Sequence, residues 1–142
     1  MIILDTNVVS EAMRPAPAHV VRDWLNHQAA NTLFLSTVTL AELLYGIGSL
    51  PAGKRRDRLT QSLDKLLALF PGRILPFDTD AARRYADMAV AARAAGRPLS
   101  TSDGYIAAIA ASHGFAVATR NTRHFAGTGV DLIDPWQDAY PT

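Results

Sequence analysis

The chain has 142 residues, 49% apolar and 19% charged, which fits one domain with its own core and excludes a disordered chain. The formal charge is only +1, so any nucleic-acid contact must come from a local basic patch. The absence of cysteine excludes disulfides and thiolate zinc sites. With no membrane-length apolar run and no basic leader before Asp5, a soluble cytoplasmic protein is expected.

Ile2, Ile3 and Leu4 form a short apolar run, as in a strand covered on both faces. Residues 8–13 predict a short helix that stops before Pro15, and Pro15 and Pro17 form a linker. Val20, Val21, Trp24 and Leu25 recur at helical spacing over 18–28. Leu33, Phe34 and Leu35 read as a second strand. A helix follows from near Thr39, with Leu40, Leu43, Leu44 and Ile47 as its apolar stripe and Gly46, Gly48, Pro51 and Gly53 at its end. Residues 54–70 predict an amphipathic helix burying Leu59, Leu63, Leu66, Leu67 and Phe70. Its start, Lys54 to Arg58, carries a local excess of three positive charges.

Residues 74–77 predict a strand that Pro76 confines to an edge or ends. Asp78 or Thr79 caps a helix running to about Ala95, with Gly96 just beyond it. Residues 102–113 are helical and stopped by Gly114. Residues 115–118 form a fourth strand, Leu132 and Ile133 offer a fifth, and Pro135-Trp136 begins the tail. Strands alternating with helices predict an α/β domain over 1–142, with a mainly parallel sheet of four to five strands flanked by helices.

Three acids occupy comparable places: Asp5 after the first strand, Glu42 near a helix start and Asp103 in a first helical turn. Each has a local explanation. Asp5 can cap the next helix. Thr39 to Glu42 matches a capping box. Asp103 suits the helix dipole. Together they point to more, because strand C-termini of a parallel sheet share one edge, where functional groups collect. Carboxylates converging there repel one another unless a cation joins them, and hard oxygen ligands suit Mg²⁺ or Mn²⁺. Such an ion can activate water for attack on a phosphodiester.

Five stretches together resemble one family. They are Ile3-Leu4-Asp5-Thr6-Asn7-Val8-Val9-Ser10, Leu35-Ser36 with Ala41-Glu42-Leu43, Gly72 to Asp78, Asp103 to Ala108, and Val117-Ala118-Thr119-Arg120-Asn121. In this order they look like a PIN-domain ribonuclease, most closely the toxin half of VapBC-type toxin–antitoxin modules of the FitB-like branch. The resemblance implies a metal-dependent endoribonuclease leaving a 5′-phosphate and a 3′-hydroxyl. It implies Asp5, Glu42 and Asp103 as ligands of Mg²⁺ or Mn²⁺, with Glu42 acting partly through a bound water. Asn121 joins them as the fourth catalytic position, and Thr6, Asn7, Ser102, Thr119 and Arg120 are expected around the substrate. Asn121 is a departure: many relatives carry an acid after Thr-Arg. An amide brings no charge, so one metal is expected rather than two.

The resemblance also implies a VapB- or FitA-like antitoxin, operator DNA bound only through that antitoxin, a homodimer, and no membrane contact. An alternative is a catalytically silent PIN-like module that binds RNA or protein. A phosphatase built on Asp5 is disfavoured, because Asn7 stands where a general acid is needed. Arg120 and Arg123 can hold phosphates or be solvated. The four histidines show no ligand spacing, Trp24 and Trp136 are expected as packing anchors, and Tyr105 as a packing residue that could also stack on a base.

Overall fold

The apolar runs pair into a five-stranded sheet of order β3-β2-β1-β4-β5: β1 (Ile2–Leu4), β2 (Leu33–Ser36), β3 (Ile74–Leu75), β4 (Ala116–Ala118) and β5 (Leu132–Ile133). This is a computed structural model describing residues 1–137; positions 138–142 of the expected 1–142 domain lie outside the described residues. Every strand pair is parallel. The connections are α1 (Thr6–Ala12), α2 (His19–His27), α3 (Thr37–Gly48), α4 (Lys54–Leu67), α5 (Thr79–Ala94) and α6 (Thr101–His113).

Alternation along the strands divides the core in two. Leu4 and Ala118 join Val8, Val9, Val21, Trp24, Leu35, Leu43 and Leu63 on one side. Ile3 and Val117 join Ile106 to Ala110 and Phe125 on the other. Each fully buried Leu, Ile or Phe contributes roughly 1.5–3 kcal/mol. With both faces covered, the strands need continuous apolar runs, which is how they read in the sequence.

Strand order reverses between β1 and β4. From β1 the chain builds outward to β2 and β3 on one side, then returns to place β4 and β5 on the other. Such a switch point opens a crevice at the strand C-termini. Leu4 is in register with Ala118, so the next residues, Asp5 and Thr119, meet there.

Several local expectations change. Helix α3 begins at Thr37, because the Ser36 side chain accepts from Thr39 N at 3.0 Å. The capping box from Thr39 to Glu42 is therefore not formed, and Glu42 is free for other work. Likewise Ser100 caps α6, accepting from Asp103 N at 3.3 Å. The expected stripe of α3 includes Leu44, yet Leu44 is 54% exposed; of that stripe the helix buries Leu43, together with Thr39. Helix α4 ends at Leu67, and β3 ends before Pro76 at the sheet edge. Asp78 caps α5 by accepting from Ala81 N at 3.0 Å, and Gly96 (φ +73°) and Gly114 (φ +70°) lie just beyond α5 and α6.

Candidate active site

Asp5 follows β1 and is anchored on three sides. Its backbone N–H bonds Ala118 O across the switch point at 2.9 Å. Its Oδ1 accepts from Thr6 N at 2.8 Å and caps α1. Its Oδ2 accepts from Thr119 Oγ1 at 2.7 Å and from Asn7 Nδ2 at 3.3 Å. Asn7 also donates to Thr119 Oγ1 at 3.3 Å, and its Oδ1 accepts from Arg120 N at 3.2 Å. Asn121 N in turn donates to Thr119 Oγ1 at 3.1 Å. The turn after β4 is thus tied to the turn after β1 through side chains.

Glu42 reaches the cleft from the second turn of α3. Its Oε1 accepts from Thr6 Oγ1 at 2.8 Å, and that hydroxyl lies 3.1 Å from Thr39 Oγ1. Asp103 enters from the first turn of α6, where its Oδ2 lies 3.6 Å from His124 Nδ1. Asp5, Glu42 and Asp103, with Thr6, Asn7, Arg120 and Asn121, line one open cleft of about 580 Å³.

Two expected substrate contacts lie elsewhere. Thr119 is fully buried beneath Asp5, so the expectation that it touches substrate is corrected to one of positioning Asp5. Ser102 lines a neighbouring hollow with Val38, Phe77 and Tyr105, which meets the cleft only at Glu42. Tyr105 packs against Phe77 and Tyr85, with ring centroids 4.2 and 4.8 Å away, so its main role is packing.

Other lining residues were not expected. Glu11, Ser10, Arg14 and Trp136 all face the cleft. Glu11 is buried; among the described residues its Oε2 has no hydrogen-bond partner, and Arg14 lies 3.6 Å away. The available signal was its spacing three residues after Val8, which places it on the inward side of α1. Trp136 lies under the Arg120 guanidinium, 4.9 Å from the ring centroid, and holds that cation at the rim.

Burial pushes the Asp5 carboxyl above the ordinary value of 3.8; the bonds from Thr119 and Thr6 pull it back, and the charges of Asp103 and Glu42 add to the rise. Among the described residues, Asp5 and Glu42 have no ion-pair partner. This donor set suits a divalent cation. No three acidic or histidine side chains among the described residues stand close enough to share an ion directly.

Comparison with known proteins places this geometry. Residues 2–130 match the family described as PIN domain. A VapC ribonuclease, Y4jK, from Sinorhizobium fredii is 47% identical over 140 residues, covering 98% of this chain and all of the relative. Toxin FitB of Neisseria gonorrhoeae is 43% identical over 139 residues, covering 97% of this chain and all of the relative. Among solved structures, a FitAB complex bound to a DNA fragment contains a chain that superposes with a TM-score of 0.92 at 40% identity, with both chains fully covered.

Proposed function

The chain belongs to the PIN-domain family, and from that membership we propose that it is a divalent-metal-dependent endoribonuclease, the toxin of a VapBC-type toxin–antitoxin module. The observation that carries this reading is the convergence of Asp5, Glu42 and Asp103 on one cleft, without a cation paired to Asp5 or Glu42. Mg²⁺, or Mn²⁺ in its place, is the ion proposed. When bound, it lowers the pKa of a water and offsets the charge of the reacting phosphate.

The chain's own residues supply the rest. Asp5, Glu42 and Asp103 would hold the ion, Glu42, oriented by Thr6, partly through a bound water. Thr119 and Asn7 fix the Asp5 carboxylate in one rotamer, so little reorganisation remains for the reaction. Arg120, held over Trp136, offers a guanidinium to an RNA phosphate. Asn121 presents an amide at the fourth position, able to orient a water but adding no charge. Residues 1–142 act as one domain.

A FitA-like antitoxin is the proposed partner, in keeping with the FitAB complex, and DNA is engaged through it. Acids without cation partners attract a basic side chain, so the antitoxin can block the cleft that binds metal. The active form is proposed to be a cytoplasmic homodimer; no helix among the described residues is long and apolar enough to cross a membrane.

The test is cleavage of a mixed RNA pool by partner-free protein with Mg²⁺, Mn²⁺ or EDTA. Metal-dependent cutting is expected from the wild type, and its loss in folded Asp5→Asn and Asp103→Asn. Asn121→Asp should tighten metal binding about tenfold by adding ligand charge, read by calorimetry. A folded wild type that binds metal yet cuts no RNA would instead identify a binding module.

A further inference from the structure

Two arginine-lined hollows adjoin the acidic cleft. One, of about 490 Å³, shares Ser10 and Arg14 with it and adds Arg55 and Arg58 from the start of α4. The other, of about 340 Å³, shares Asp103 and adds Arg97, Arg123 and His124. Arg55, Arg58, Arg97 and Arg123 are exposed, and none makes an ion pair among the described residues. Arg55 and Arg58 lie in the first turns of a helix, where a cation opposes the dipole. An anionic ligand bound there would offset that opposition. The Arg97 side chain also has a defined place, with Nη2 lying across Gly127.

We propose that these hollows hold the phosphates flanking the scissile bond, so that a single RNA strand runs from Arg55 and Arg58, across the acidic cleft, to Arg97 and Arg123. The inference rests on the ribonuclease reading and adds the path of the substrate to it. Charge order favours RNA over an acidic protein. A polyanion fits a basic–acidic–basic series when a divalent cation sits with the central phosphate. An acidic peptide would fit the two ends but be repelled by Asp5, Glu42 and Asp103 between them. Arginine also matches phosphate geometry through paired N–H donors.

The test uses the full-length, partner-free protein with its acids intact and Ca²⁺ in place of Mg²⁺, so that the central charge is kept while bound RNA stays intact. Arg55→Ala with Arg58→Ala, and Arg97→Ala with Arg123→Ala, are introduced as separate pairs, and folding is confirmed by circular dichroism. Binding of a fluorescent single-stranded RNA is followed by anisotropy across a salt series. Each pair should weaken binding about tenfold or more near 0.1 M salt and reduce the log–log salt slope by about 1.4, two contacts at about 0.7 each. The corresponding Arg→Lys pairs should recover most of the slope.

Unchanged affinity and slope in either pair overturn the proposed path. The ribonuclease reading fails separately, when wild-type protein with metal cuts no RNA.

Discussion

Thr119 uses the full capacity of one hydroxyl: it donates to Asp5 and accepts from Asn7 and from the Asn121 backbone. Thr119→Val keeps the shape and removes every one of these bonds. Stability should fall by about 1–3 kcal/mol, because buried polar groups are left unpaired. Cleavage at saturating metal should fall roughly 10- to 100-fold through misplacement of Asp5, checked by thermal melting and single-turnover kinetics.

The raised Asp5 carboxyl makes a second prediction with a definite sign. Its folded pKa lies above its unfolded one, so the metal-free fold is destabilised as pH rises above 3.8 through the folded value. The full cost persists at neutral pH. A divalent cation relieves it there, and protons displace the ion in acid. Metal at a hundredfold excess over Kd should therefore stabilise the fold by about 2.7 kcal/mol near neutrality, and progressively less toward pH 4, by calorimetry.

Helix starts decide how the acids reach the cleft. Asp5 is both cap and site residue, and its place at the end of an apolar run made it visible in the sequence. Glu42 was less secure, because a capping box from Thr39 explains it locally; Ser36 takes the capping role instead and leaves Glu42 to Thr6. Two competing caps three residues apart look alike in sequence, and strand length decides between them.

Helix α6 carries Asp103 and packs closely on α5 at Gly104, where an added Cβ would lie 2.7 Å from Tyr85 Cε1. Tyr85 cannot swing away easily, being packed edge-on to Phe77 and Tyr105. Gly104→Ala improves helix propensity by up to about 1 kcal/mol. Overpacking costs about 1–3 kcal/mol and should prevail. The expected result is a lower melting temperature together with weaker metal binding, since Asp103 moves with the helix.

Over the whole molecule, elements made of long periodic runs were legible, because each carries its own pattern. Strand order was not, since it depends on pairing between distant segments. Thr119 therefore read as a residue exposed after a strand, when register places it under Asp5. Glu11 escaped for a related reason: with Arg14 it looks like a surface pair, which masks its spacing from Val8 on the inward side of α1. A chain cut after Gly114 lacks β4 and β5 and leaves one side of β1 unpaired. Such a fragment should show no cooperative melting and no metal-dependent cutting.

The position of β1 in the sheet also sets a time. The first strand made is the central one, and the residue that fixes Asp5 is 114 positions later. At about 5–20 residues per second, roughly 6–23 s of synthesis separate the two. Over that interval the growing chain gains Glu42 and then Asp103 but not the site, so the ribosome that makes it handles an inert polypeptide.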